Sequence, residues 1–187
     1  MKKHLLFLAL TICSLTTFAQ KDGEADFFKK DESTGDYYYE EVVQADGLKK
    51  EVMFERAKNW IIANFKTGDN NIKFDDKDFA IDNSAAVKID QKSFFTSAIQ
   101  EGAYNFKFHV WFKDDRYKIR VDNIMYYVLI KYGTDLTPNS FSYGDLKNNK
   151  MGKYLKEQAS EKTNSVIAVF KNAVLTEQAS PAKKDDW

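Results

Sequence analysis

The chain has 187 residues, of which 30% are charged, and its formal net charge is zero because 28 basic residues balance 28 acidic ones. This even balance argues against a dedicated nucleic-acid-binding protein, which usually carries a basic excess. The chain contains only two prolines and eight glycines, so its composition is that of a folded domain and not of a fibrous or low-complexity protein.

The first nineteen residues have the arrangement of a secretory signal peptide. Two lysines precede an apolar run from Leu5 to about Phe18, and the small residue Ala19 marks the predicted cleavage site. The run is shorter than the roughly 20 apolar residues that a membrane anchor needs. We therefore predict that residues 1–19 are removed, that no transmembrane segment remains, and that the protein is periplasmic or secreted.

Cys13 is the only cysteine, and it lies inside this apolar run. A lipoprotein signal would place small residues directly before the cysteine, whereas Thr11 and Ile12 stand there, so we do not predict a lipid anchor. The mature chain then has no thiol and can fold in an oxidising compartment without a disulfide. Thiolate catalysis, zinc–thiolate sites and iron–sulfur clusters are excluded for the same reason, and we predict neither a metal nor a cofactor.

The mature chain begins with a polar segment and then becomes periodic. Residues 20–36 are charged and lack periodicity, which predicts a flexible leader. Residues 37–46 are rich in aromatic and β-branched side chains and predict the first strand. From about residue 49 to Phe65 the apolar positions have helical spacing, and this spacing assigns Trp60 to the core.

A region of short strands follows the first helix. Residues 72–89 predict two or three strands separated by turns rich in aspartate. Asp75, Asp76 and Asp78 lack the accompanying glycine and glutamate of an EF-hand, so they indicate a turn and not a calcium site. Residues 91–102 are weakly patterned and predict a loop or a short helical turn.

The strongest pattern in the chain is an alternating hairpin. Residues 103–113 and 116 to about 130 predict two long strands joined by a tight turn at Asp114 and Asp115. One face of this hairpin is aromatic and aliphatic. The other face carries Lys107, His109, Trp111, Lys113, Arg116, Lys118 and Arg120.

The end of the chain predicts a loop and a long helix. Residues 133–144 contain Pro138 and predict a loop. A helical stripe from about Met151 to Val174 follows, with Asp145 available as its N-cap. Residues 177–187 are polar and predict a flexible tail, so the single folded domain is expected to span residues 37–176.

The order of elements predicts an α+β fold in which both helices cover the aromatic face of one antiparallel sheet. Two stretches also carry a family resemblance: YYYEEVVQADGLKKEVMFERAKNWIIANFK and, further along, FKFHVWFKDDRYKIRVDNI. They resemble secreted Bacteroidetes proteins grouped as a domain of unknown function with a TBP-like fold, although Asp115 stands where that pattern favours glycine. The resemblance implies the TBP-like fold and an exported location. The resemblance implies no activity and no catalytic residue, and the fold alone does not imply DNA binding.

The polar face of the hairpin is the candidate site. Two of the three arginines of the chain lie on it, and a basic face that carries an aromatic residue suits an anionic ligand or an acidic partner. The alternative is an ordinary solvated face whose charges pair with nearby carboxylates. Such pairs are worth about 0–1 kcal/mol each and imply no ligand.

An enzymatic function has no support in the sequence. His109 has no neighbouring serine nucleophile and no companion metal ligand, and Glu40 and Glu41 alternate along a strand, unlike a glycosidase pair. We therefore predict a non-enzymatic module that binds an envelope or extracellular partner through the polar face. A second hypothesis is a helix-grip carrier, which would hold an apolar ligand in a cavity of several hundred Å³ between the sheet and the last helix.

Overall fold

A computed structural model describes residues 27–65 and 72–176. The predicted signal peptide, the first part of the predicted leader and the predicted tail lie outside these residues. Within them, eight antiparallel strands form one sheet, and two helices pack on one of its faces, which confirms the predicted α+β fold. The elements are β1 Lys29–Lys30, β2 Tyr37–Gln44, α1 Lys50–Asn64, β3 Ile72–Asp75, β4 Ala80–Lys88, β5 Lys92–Ser93, β6 Ala98–Lys113, β7 Arg116–Tyr132, β8 Asp135–Ser142 and α2 Lys150–Leu175.

The long hairpin of β6 and β7 forms the centre of the sheet. The strand order is β1-β2-β7-β6-β4-β3. Strands β2 and β8 lie end to end beside β7, because β2 pairs with residues 116–121 and β8 pairs with residues 125–132. Strand β5 pairs with the first residues of β6. The hairpin therefore has a turn end beside β2 and a far end beside β5 and β8.

The inner face of the sheet forms the core with the two helices. Phe170 of α2 is fully buried, and its ring lies 5.2 Å from Trp60, 5.1 Å from Phe108 and 6.2 Å from Tyr117, measured between ring centroids. These edge-to-face contacts join both helices to the hairpin. Burial of four large aromatic side chains at one point makes Phe170 a central residue of the core.

Two buried tyrosines connect the hairpin to α2 by hydrogen bonds. The hydroxyl of Tyr104 donates to the carbonyl oxygen of Ala159 at 3.4 Å, and that of Tyr126 donates to the carbonyl oxygen of Leu155 at 3.2 Å. The protein's own side chains thus occupy the space between the sheet and α2. This is the position that the helix-grip hypothesis assigns to a ligand.

A β-bulge in β7 changes which residues face the core. Asn105 pairs with Met125 but Lys107 pairs with Asp122, so β7 contains one residue more than β6 across this interval. Asn123 has a φ of 50°, in the left-handed region that asparagine tolerates better than most residues. The inward side chains consequently shift from odd positions, such as Val121, to even positions, such as Ile124.

The domain begins earlier than predicted. Phe28 is fully buried, the ring of Phe27 stacks on Tyr39 at 4.6 Å, and β1 pairs with the start of β2. The prediction of a flexible leader is therefore wrong for residues 27–36. Two consecutive phenylalanines hold this segment on the sheet although the residues around them are polar.

Three local predictions near the ends of elements are also wrong. Residues 91–102 form β5 and the start of β6, and residues 135–142 form β8 although Pro138 lies among them. Proline is tolerated there because β8 is an edge strand, where one side of the backbone needs no partner. The N-cap of α2 is Asn149, whose Oδ1 accepts from the backbone N–H of Gly152 at 2.8 Å. Asp145 instead accepts a hydrogen bond from Ser142 Oγ at 2.7 Å.

Neither helix in the described part of the chain combines the length and the apolar character needed to cross a membrane.

Candidate functional site

The seven residues of the predicted site share the outer face of the hairpin, as expected from their alternation. Pairing across the hairpin places Lys113 opposite Arg116, Trp111 opposite Lys118, and His109 opposite Arg120. Among the described residues, both helices lie on the other face of the sheet. Neighbouring strands add Tyr38, Glu40, Val42 and Gln44 from β2 and Ala80, Asp82 and Ser84 from β4 to this outer face.

Arg120 is held at the centre of the face by two carboxylates and one aromatic ring. Its Nε donates to Asp122 Oδ2 at 2.9 Å, and its Nη1 lies 3.5 Å from Glu40 Oε2. Its guanidinium carbon also lies 4.3 Å from the centre of the Tyr38 ring, which is cation–π distance. The positive charge of Arg120 is therefore largely neutralised within the protein.

His109 lies between two carboxylates and has no free ring nitrogen. Its Nδ1 contacts Asp82 Oδ1, and its Nε2 lies 3.3 Å from Asp122 Oδ1. The hydrogen bond to Asp122, followed by the one to Asp82, raises the pKa of His109 despite its partial burial. The same contact with His109, followed by that with Arg120, lowers the pKa of Asp122. This arrangement favours a protonated imidazolium, which offers no lone pair for base catalysis or for a metal ion.

Trp111 is partly buried and is not a free aromatic platform. Its ring is nearly parallel to that of His109, with 5.7 Å between the centroids, and Lys118 Nζ lies 4.8 Å from the ring centre. Lys118 also lies 3.4 Å from Glu40 Oε2. Beside Lys118, Val42 of β2 is 52% exposed. The aromatic residue of the face is thus fixed in one position next to an exposed apolar side chain.

The turn end of the hairpin carries a group that we call the basic corner, formed by Trp111, Lys113, Arg116 and Lys118. Lys113 and Arg116 are exposed and lie directly opposite each other, an unfavourable arrangement for like charges. Within the described chain, neither has a carboxylate oxygen within 4 Å of its charged nitrogens. The basic corner therefore retains uncompensated positive charge.

The two acids of the turn do not neutralise this corner because they bind the segment before α1. Asp114 Oδ1 accepts from the backbone N–H of Lys50 at 3.1 Å, and its Oδ2 lies 3.4 Å from Lys49 Nζ. Asp115 Oδ1 accepts from the backbone N–H of Gly47 at 2.8 Å. The bond from the Lys50 N–H, followed by the contact with Lys49, lowers the pKa of Asp114. The carboxylates closest in sequence to Lys113 and Arg116 are thus engaged elsewhere.

The far end of the hairpin has an open depression of about 740 Å³ on the outer face. Ala103, Tyr127, Leu129 and Pro138 provide apolar lining, and Lys88 and Glu101 are exposed charges at its edge. The sequence did not reveal this depression because β8 forms one side of it and was predicted as a loop.

Comparison with known proteins agrees with these elements. A family model described as a domain of unknown function (DUF4468) with TBP-like fold matches residues 39–127, which include most of β2, all of α1 and most of the long hairpin. Residues 39–127 of the chain are thus similar to the DUF4468 family. The predicted family resemblance and the predicted TBP-like fold are thereby confirmed, and the outer face of the hairpin lies largely within the matched residues.

Two solved structures resemble the chain over most of its length. A TBP-like protein from Parabacteroides distasonis has 16% sequence identity and a TM-score of 0.63, covering 78% of this chain and 96% of its own. A DUF4468 family protein from Bacteroides ovatus has 13% identity and a TM-score of 0.60, covering 86% of this chain and all of its own. At these identities the likeness shows the fold alone. No curated protein matches the chain in sequence.

Proposed function

We propose that the protein is an exported, non-enzymatic module that binds an anionic partner through the basic corner of its outer sheet face. The observation that carries this proposal is the pair of Lys113 and Arg116, which lie opposite each other without a described carboxylate partner. An anion placed between two like charges removes their repulsion, whereas in the free protein the repulsion persists.

The shape of the corner favours a polymer over a small enclosed metabolite. The site is an open part of a sheet face, and small-molecule sites are usually concave and bury most of their ligand. Arg116 can bind a carboxylate, sulfate or phosphate group with two parallel hydrogen bonds. Val42, which is 52% exposed, adds apolar contact area beside these cations. An acidic polysaccharide or an acidic protein segment combines these properties, and the neutral net charge argues against nucleic acid as the dedicated partner.

The remaining parts of the proposal have separate support. The contacts of both His109 nitrogens with carboxylates argue against acid–base catalysis by this residue. Export is supported by the order of charged, apolar and small residues at the start of the chain.

Calorimetric titration of the protein with two anionic polymers, heparin and poly-glutamate, tests the proposal. The dissociation constant is measured at low salt and at physiological salt. Lys113→Gln and Arg116→Gln are the test variants, and Lys107→Gln is the matched control because it removes one exposed charge from the same outer face. We expect each corner variant to weaken binding of one polymer at least tenfold, about 1.4 kcal/mol, and the control to weaken it less than twofold. Equal weakening by all three variants, or no binding of either polymer, would contradict the proposal.

A second measurement addresses the natural partner. The wild type, the Arg116→Gln variant and the Lys107→Gln control would each carry a cross-linker at the basic corner. Each protein would then be recovered from the envelope of the cells that produce it, together with the molecules attached to it. An anionic molecule that is retained by the control and lost from the Arg116 variant identifies the partner. Recovery of the same molecules from both variants would place any partner elsewhere on the surface.

A further inference from the structure

The far end of the hairpin exposes an unusual amount of apolar surface. Phe95 is fully exposed at the apex of the β5–β6 turn, which is closed by a hydrogen bond from Phe94 N–H to the carbonyl oxygen of Ser97 at 2.6 Å. Nearby, Leu136 is 56% exposed and Tyr127 is 50% exposed. Such a concentration at one end of a domain marks an interaction surface.

A protruding side chain and a depression lie on the same end of the molecule. Phe95 is three residues before the start of β6, and Glu101 of β6 lies at the edge of the outer depression, so the two are at most about 20 Å apart. A two-fold axis between them would bring Phe95 of each copy to the depression of the other. A contact with a two-fold axis requires that one surface contain both complementary parts, and this surface does.

We propose that the occupant of this surface is a second copy of the chain. In the resulting dimer, Phe95 of one copy packs against Tyr127, Leu129 and Pro138 of the other. This contact lies at the opposite end of the hairpin from the basic corner, so it is independent of the proposed function.

The apolar area fits a weak dimer. A fully exposed phenylalanine offers about 200 Å², and the half-exposed Tyr127 and Leu136 offer about 100 Å² each. With part of the depression, each copy would bury about 500 Å², and the two copies together about 1,000 Å². This total is near the lower limit for a specific interface, so we expect dissociation in the micromolar range.

The dimer is tested by sedimentation of the purified full chain over micromolar to submillimolar concentrations. The wild type should shift from the monomer mass to twice that mass. Phe95→Ser should raise the dissociation constant about 30-fold, which corresponds to the loss of two symmetry-related aromatic contacts of about 1 kcal/mol each. Ile62→Ser is the control, because Ile62 is 59% exposed on α1, and it should leave the constant unchanged. A wild-type monomer at every concentration, or equal effects of the two variants, would overturn the proposal.

Discussion

Replacing Arg120 by methionine should destabilise the protein far more than the same replacement of Arg116. Both arginines lie on the outer face of β7, and methionine keeps most of the apolar stem of either side chain. Arg120 is bound by Asp122, Glu40 and the Tyr38 ring. Arg116 has no ion pair within the described residues. The difference between the two variants therefore measures the contribution of the contacts of Arg120, because both variants lose an arginine from the same face.

The expected magnitude follows from the three contacts. The 2.9 Å bond to Asp122 is worth about 1 kcal/mol and the 3.5 Å contact with Glu40 about 0–0.5 kcal/mol, since these groups are only partly buried. The cation–π contact adds about 0.5–1 kcal/mol. Arg120→Met should thus lower the free energy of unfolding by about 2 kcal/mol, and Arg116→Met by no more than about 0.5 kcal/mol.

Urea unfolding followed by circular dichroism measures both values, and thermal unfolding should show a shift of about 4–8 °C for Arg120→Met. Repeating the measurement in 1 M salt should shrink the difference, because the Debye length falls to about 3 Å. Equal destabilisation by the two variants, or an effect of Arg120→Met that salt does not reduce, would show that the network does not stabilise the sheet as described.

Two further predictions concern the same face and the core. The folded-state pKa of His109 is raised above its ordinary value of 6.5, so its stabilising contribution is complete below about pH 6.5 and is lost as the pH rises through the folded-state pKa. Urea unfolding measured between pH 5 and about 9 should show the free energy of unfolding falling over the upper part of this range. His109→Gln should remove this dependence on pH. If the variant keeps the same dependence, another titratable group causes it. Phe170→Ala should cost about 3–5 kcal/mol in urea unfolding because it leaves a cavity among three aromatic rings, while Val169→Ala, at a position 55% exposed, should cost less than about 1 kcal/mol.

The alternation of the hairpin predicted the faces of β6 and β7 correctly because the side of a strand on which a residue lies is a local property. The partners of the outer-face cations were not predictable in this way. Glu40 meets Arg120 through the register of β2 with β7, and Asp82 meets His109 through the register of β4 with β6. Register is set by contacts between distant segments, so the sequence suggested a basic face where the folded chain has a mixed network and one basic corner.

The segments that were predicted wrongly share a different cause. The β1 segment and β8 both lie at edges of the sheet, where few contacts are needed and polar residues or proline are tolerated. Phe27 and Phe28 are too short a signal to outweigh the charged residues around them. The bulge at Asn123 is likewise a single-residue event, and period-two alternation cannot anticipate it.

The length of the hairpin has a consequence for avidity. Strand β6 has 16 residues and spans about 50 Å, with the basic corner at one end and the exposed Phe95 turn at the other. Two copies joined at the Phe95 end would carry their basic corners at opposite extremities of the pair. A long anionic polymer bound at one basic corner would present its other anionic groups to the second basic corner at a high effective concentration. Two weak contacts would then hold the polymer far more tightly than either contact alone.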